Sequence, residues 1–148
     1  MGYKIAFVGK SLQAMCNFRM GVMLALAQMG YELVIIAPKD SDMSVLMQAK
    51  IRLISLEMDC KGMNPFKDIR MAKELKKIYK RERFDFVFHY TIKAVVYGSW
   101  AAKKTHISQI SVITGLGYAF IRRGWINSVA KCLYRWALRG VKEVWFLN

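Results

Sequence analysis

Short apolar runs suited to buried strands recur along this chain with helix-length segments between them, and that alternation limits the fold more than any other feature. The period reads as a strand at Lys4–Val8, a helix over 18–29, and a strand at Glu32–Ala37 closed by Pro38. A short helical turn over 43–48 leads to a third strand built on Ile51, Leu53 and Ile54, expected at the sheet edge. Asn64 and Pro65 open a helix running to 81, with Phe66, Ile69, Leu75 and Ile78 or Tyr79 on its apolar stripe. A strand over 85–91, a helix over 94–103, a strand over 109–114, a helix over 126–139 and a last strand over 143–148 complete the order. Parallel pairing follows, because each crossover between parallel strands lays a helix on one face of the sheet. The expected fold class is α/β: a doubly wound, mostly parallel, Rossmann-like sheet with helices on both faces. No repeat or low-complexity linker divides residues 1–148, so a single domain is expected.

With 148 residues, 55% of them hydrophobic, the chain can bury a real core, which sets disorder aside. Twenty-four Lys and Arg against ten Asp and Glu give a formal net charge of +14. That excess favours an anionic partner: nucleic acid, acidic lipid, or a phosphate-bearing small molecule. Cys16, Cys60 and Cys132 lie far apart with no CxxC, which suggests neither a disulfide framework nor a zinc site and fits a reducing cytoplasm. The opening MGYKIAFVGK starts a strand at once and lacks the pattern of a signal peptide. Residues 20–38 are apolar enough to raise a membrane span, but Gln28, Gly30 and Glu32 interrupt them, and Gly30 reads as a helix C-cap before a strand.

In a doubly wound sheet ligands sit beyond the carboxyl ends of the strands, so the loops over 9–17, 89–93 and 114–123 should line one cleft. The first holds Gly9 alone, too few glycines for a dinucleotide fingerprint, and Lys4 stands where a Walker loop needs its first glycine. What remains is a long loop with Lys10, Ser11, Gln13, Asn17 and Arg19 around a helix start, where free backbone N–H groups can receive an anion; a capped helix with solvated Lys10 fits equally. His89, Tyr90, Thr91, Ile92 and Lys93 emerge from a central strand, with no serine, cysteine or carboxylate spaced to form a triad with His89. A structural and a ligand-contacting His89 both stand. Thr114, Gly115, Leu116, Gly117 and Tyr118 end another strand with two glycines that permit a sharp turn or a close ligand.

Like charges at i, i+4 spacing mark two helices: Lys73, Lys77 and Arg81 on one, Lys131, Arg135 and Arg139 on the other. Between 61 and 83 there are nine basic residues against three acidic ones, the strongest candidate for a membrane-facing surface, though a solvated face without a partner fits equally. Trp125, Tyr134, Trp136 and Phe120 near Arg122, Arg123, Lys131 and Arg135 suit the headgroup layer of an anionic bilayer, although some of these aromatics must be core.

Taken in order, NFRMGVMLAL in the first helix, GMNPF before a basic helix, HYTIKAVVYGSWAA and ISVITGLGYAF resemble the amino-terminal half of a family four glycosyltransferase of GT-B architecture. The resemblance is to bacterial members that extend undecaprenyl-diphosphate-linked sugars for capsule, O-antigen or glycoprotein assembly. It implies that this half mainly holds a lipid-linked acceptor, while a carboxy-terminal half outside 1–148 mainly holds the nucleotide-sugar donor and supplies the family's paired glutamates. The alternation breaks off inside the last strand, so the chain is expected to be part of a larger enzyme and catalytically incomplete alone.

By the same resemblance, Gly9 lies in the loop under the donor diphosphate and Asn17 and Arg19 in the motif opening the first helix, with Lys10 a further substrate-binding candidate. His89, the candidate catalytic residue, lies with Tyr90, Thr91, Lys93, Thr114, Gly115, Gly117 and Tyr118 at the reaction cleft, and Arg122 or Arg123 meets the acceptor diphosphate. Lys73, Lys77, Arg81, Lys131 and Arg135 face the membrane. The implied reaction is sugar transfer with retention, without metal or cofactor, at the cytoplasmic face of the plasma membrane. Self-association through the exposed cleft face is a further hypothesis. Two alternatives remain: a non-catalytic acceptor- or membrane-binding subunit of a two-chain transferase, and a basic nucleic-acid-binding module. The second lacks any recognisable reading element, so nucleic acid is not the expected partner.

Overall fold

The computed structural model describes residues 2–59, 64–115 and 124–147. Strands β1 (Lys4–Val8), β2 (Glu32–Ala37), β3 (Arg52–Ser55), β4 (Phe86–Tyr90), β5 (Ser108–Ile113) and β6 (Glu143–Phe146) pair in parallel in the order β3-β2-β1-β4-β5-β6. The central strands are covered on both faces, which is why residues 5–8 and 33–37 read as unbroken apolar runs rather than alternating ones. Edge strands β3 and β6 are only partly buried, and β3 takes the edge position expected from its weaker pattern.

Helices α1 (Leu12–Gln28) and α2 (Ser44–Gln48) cover one face, packing Leu12, Met15, Met23 and Leu46 on Phe7, Leu33 and Ile35. The other face carries α3 (Pro65–Glu82), a π-helical turn (Ala94–Gly98) running into α4 (Ser99–Thr105), and α5 (Trp125–Leu138). The sheet is therefore the doubly wound Rossmann-like architecture that the alternation requires.

Local chemistry moves one helix start and changes one inward face. Helix α1 starts at Leu12, not 18, because the Ser11 side chain accepts the Ala14 N–H at 3.1 Å and begins the helix early. The long loop expected after β1 shrinks to Gly9, Lys10 and Ser11. In α3, the Asn64 side chain accepts the N–H groups of Phe66 and Lys67 at 3.1 and 3.3 Å, and the face turned inward is Asp68, Met71, Ala72, Leu75, Ile78 and Tyr79. Phe66 and Ile69, expected on the apolar stripe, are 83% and 52% exposed.

At the amino ends of the strands, opposite the carboxyl ends where ligands bind, Glu82 closes α3 against Lys4 at 2.9 Å and Arg81 at 3.1 Å, and also pairs with Arg52. The Lys4 ammonium comes first among the contacts that hold the Glu82 carboxyl down at about 2, against the partial burial that opposes them. Its folded value is depressed, so the stabilisation is complete above about 4.5 and is lost as pH falls toward about 2. Arg52 and Arg81 are largely exposed, and solvent screening discounts the network. Glu82→Gln is expected to cost about 1–2 kcal/mol at pH 7 in urea titrations, with the gap from the parent closing below pH 4.5.

Candidate functional site

Strand order reverses between β1 and β4, so the chain leaves these neighbours toward opposite faces of the sheet and a crevice opens at their carboxyl ends. A cleft of about 480 Å³ lies there, lined by Lys10, Ser11, Ala14, Met15, Phe18, Arg19, Tyr90, Thr91, Thr114 and Leu147. Residues that the sequence places after β1, β4 and β5 meet in it: Lys10 and Arg19, Tyr90 and Thr91, and Thr114.

Two of these side chains are held by each other. The Arg19 guanidinium stands 5.0 Å from the centroid of the Tyr90 ring, which itself stacks on Phe7 with centroids 6.2 Å apart. Tyr90 is buried, which pushes its hydroxyl above the usual range, while the Arg19 charge pulls part of the way back. The guanidinium is thus positioned on a rigid aromatic floor. Its Nη1 also donates to the Phe18 carbonyl at 3.5 Å, and the remaining guanidinium N–H groups can meet an anionic group.

Thr91 adopts φ 74°, a left-handed backbone that a β-branched residue rarely takes. Its carbonyl accepts the Val95 N–H at 2.9 Å, so the strained residue starts the helical segment that follows. Gly9 is buried behind Met15 and is not part of the cleft lining; its N–H donates to the Ile36 carbonyl at 3.1 Å, and a Cβ there would overlap Met15 Cε.

The backbone N–H groups expected to await an anion at the start of α1 are already engaged. Ser11 Oγ accepts from Ala14, and the Asp40 carboxylate accepts from Gln13 at 3.1 Å. Slight burial works against ionised Asp40, but hydrogen bonds from Ser11, Gln13 and Leu12 hold its carboxyl below the usual range. Asp40, which no sequence motif singled out, is therefore the internal anion at this helix end, and an external one must bind through Lys10 and Arg19. Its one signal was position, just past Pro38 at the carboxyl end of β2.

Other candidates lie outside the cleft lining. The His89 side chain is fully buried on the opposite face of β4, with Nε2 2.8 Å from the Tyr79 hydroxyl, so the proposed catalytic imidazole does not reach the cleft. Alternation along β4 explains this: Tyr90 faces α1, so its neighbour His89 must face α3 and α4. Burial lowers the His89 imidazole to about 3. Lys93 turns to Asp68 at 2.8 Å, and Tyr97 donates to the same carboxylate at 3.1 Å. Burial, then the Asp68 charge and hydrogen bond, push Tyr97 up to about 12. Sequence reasoning missed this cluster because Asp68 sits within a helix whose expected inner stripe omitted it. Asn17 is exposed, and exposed Gly115 follows Thr114 at φ 143°.

Gly117, Tyr118, Arg122 and Arg123 lie outside the described residues, as does Phe120. Lys73, Lys77, Arg81, Lys131 and Arg135 are all exposed, with Lys77 paired to Glu74 at 2.9 Å. Among the described residues, no group of three or more His, Cys, Asp or Glu is placed to hold a metal ion, and no helix is long and apolar enough to cross a membrane.

The model of the glycosyl transferase 4-like family matches residues 4–148. An N,N'-diacetylbacillosaminyl-diphospho-undecaprenol alpha-1,3-N-acetylgalactosaminyltransferase of Campylobacter jejuni is 25% identical over 150 residues, covering 98% of this chain. The chain spans 40% of the length of that relative. Among solved structures, a glycosyltransferase from Rickettsia africae matches with TM-score 0.63 and 21% identity, over 80% of this chain and 32% of its own. MurG of Acinetobacter baumannii gives TM-score 0.62 at 14% identity, over 99% of this chain and 41% of its own. A UDP-GlcNAc 2-epimerase from Methanocaldococcus jannaschii gives 0.63 at 16%, over 100% and 40%. At such identities these structures share the fold, and their mixture of transferases and an epimerase means that fold alone does not name the reaction.

Proposed function

The chain belongs to the glycosyl transferase 4-like family, and on that premise we propose that it is the acceptor-side half of a GT-B glycosyltransferase. The reaction moves a sugar from a nucleotide-sugar, with retention, to a sugar carried on an undecaprenyl diphosphate in bacterial surface polysaccharide assembly. A second, carboxy-terminal half facing this cleft holds most of the donor, and the present half alone is catalytically incomplete. The observation that carries the reading is the convergence of Lys10, Arg19, Thr91 and Thr114 in one cleft at the switch point of the sheet. Arg19, stacked on Tyr90, offers a fixed fork to a phosphate oxygen, and Lys10 adds a mobile charge at the rim. Thr91 and Thr114 present hydroxyl groups for sugar, and the apolar wall of Met15 and Phe18 suits the first isoprene units of the carrier.

Calorimetric titration with a short, water-soluble prenyl-diphosphate-linked sugar tests the proposal. Arg19→Ala and Lys10→Ala should each weaken binding about tenfold, as loss of a charge-assisted hydrogen bond implies. Asn17→Ala, exposed and outside the cleft lining, should stay within about twofold of the parent, since it loses no such bond. Equal affinity in the parent and both cleft variants would remove the cleft from the acceptor site.

A further inference from the structure

Helices α3 and α4 pack together and end at the amino ends of β4 and β5, each on a basic residue in a strained backbone. Arg83 closes α3 at φ 52° and ψ 56°, and His106 closes α4 at φ 56° and ψ 34°. Glycine usually fills this left-handed position, because a Cβ is strained there. Gly30 and Gly140 fill it after α1 and α5, at φ 89° and 78°. Histidine tolerates the conformation better than arginine does, so Arg83 is the sharper departure. A side chain kept where glycine would fit more easily points to a use for the side chain.

Lys80, Arg83, Lys104 and His106, all exposed, line one depression of about 410 Å³ between these helix ends. Among the described residues no Asp or Glu pairs with any of them. Lys4, Arg52 and Arg81 take Glu82, while Lys67, Lys77 and Lys93 take Asp59, Glu74 and Asp68. The Asp85 carboxylate accepts the Lys4 backbone N–H at 2.7 Å. Offsetting the helix dipoles is the plain alternative use for cations at this place. Each helix end carries about −0.5 charge, so the two ends together offset about one of the three full charges on Lys80, Arg83 and Lys104. Roughly two positive charges stay unmatched.

We infer that this depression binds a small soluble phosphate group carrying two or more negative charges, a phosphate monoester or a diphosphate. Arg83 supplies a planar fork from the end of α3 and Lys104 a point charge from the end of α4, with Lys80 and a His106 ring N–H beside them. A concave site between two helix ends suits a small ligand better than a flat surface. Strand β4, about 16 Å long at 3.3 Å per residue, separates the depression from the cleft at the opposite end of the sheet. The anion held here is therefore a second ligand and not the group that reacts. Because it bridges α3 and α4 and relieves repulsion among the cations, its binding also stabilises the folded chain.

Inorganic pyrophosphate is the probe, titrated into the full chain at physiological salt and followed by calorimetry and by amide chemical shifts. Saturable binding should move the amides of residues 80–84 and 104–107. Arg83→Gly and Lys104→Ala should each weaken it about tenfold, as loss of a charge-assisted hydrogen bond implies. Lys73→Ala/Lys77→Ala, on the exposed row of α3, should stay within about twofold. Without pyrophosphate, Arg83→Gly should melt at or above the parent temperature, because glycine relieves the left-handed cap, so its weaker binding is not a loss of fold. A cation that serves only the helix dipole predicts the reverse, a lower melting temperature with unchanged binding. Lys10→Ala/Arg19→Ala should keep the shifts at 80–84 and 104–107, which reads this site apart from the cleft. Parent-like binding by Arg83→Gly and Lys104→Ala, or shifts confined to cleft residues, overturns the inference. So does binding of phosphatidylglycerol vesicles through Arg83 and Lys104 that pyrophosphate fails to displace, since the phosphate would then be a lipid headgroup's.

Discussion

Taking the chain from pH 6.5 to pH 4 is expected to remove roughly 3 kcal/mol of stability, at close to 1.4 kcal/mol per pH unit. His89 is the reason. In the unfolded chain its imidazole takes a proton near 6.5, whereas burial lowers the folded value to about 3. Between those values the unfolded state binds one more proton, so acid favours unfolding; the stability is full above 6.5 and falls until the folded imidazole itself protonates. The fully buried Tyr79 hydroxyl, pushed well up by that burial, stays a neutral partner for Nε2, and no described group partners Nδ1. A charge on this ring therefore has nothing to compensate it. Urea titrations of the parent and of His89→Gln at several pH values make the check. The variant should lose about 1–2 kcal/mol at pH 7 and show little slope from 6.5 down to 4.5, above the range where Glu82 titrates. Equal slopes in the two proteins would mean that the imidazole is not the titrating group.

The same imidazole shows where sequence reading stops. Strands β1 and β2 were legible because strands covered on both faces read as apolar runs, β4 and β5 because short apolar runs survive around His89, Gln109 and Ser111, and α3 because Asn64 and Pro65 announce its start. A strand apolar on both sides, however, carries no alternation to tell which residue faces which helix layer. His89 and Tyr90 therefore looked alike in the sequence, and only the packed sheet sends one to the core beneath α4 and the other to the cleft. The start of α1 was hidden for another reason. Ser11 caps it from within the expected loop, and Asp40 reinforces it from 27 residues away, a contact that no local spacing encodes. Lys10, Arg19, Tyr90, Thr91 and Thr114 were legible as cleft residues because the switch-point rule needs only strand order. Lys93 was not, since its partner Asp68 lay on a helix whose expected inner stripe placed Leu75, Ile78 and Tyr79 correctly but took Phe66 and Ile69 where Asp68, Met71 and Ala72 turn inward.

Gly98→Ala is expected to cost about 3 kcal/mol or more. A Cβ at position 98 would stand 2.5 Å from His89 Nε2 and closer still to Cδ2. The ring cannot retreat, being fully buried and fixed at 2.8 Å to the Tyr79 hydroxyl, so the added methyl must either break that bond or lift the end of the π-helical turn off β4. Gly9→Ala makes the useful comparison: its Cβ also overlaps a neighbour, but that neighbour is the Met15 terminal methyl, which can rotate away. Its cost should stay near or below 1 kcal/mol, the scale of a local rearrangement. Gly21→Ala, on an exposed turn of α1 with nothing near its Cβ, should gain about 0.5–1 kcal/mol from helix propensity. The decisive measurement is a double-mutant cycle between Gly98→Ala and His89→Ala. Removing the imidazole vacates the space that the new methyl needs, so the double variant should be more stable than the sum of the single losses predicts by about 2 kcal/mol. Additive losses would show that position 98 is constrained by the backbone of the π-turn itself and not by the imidazole under it.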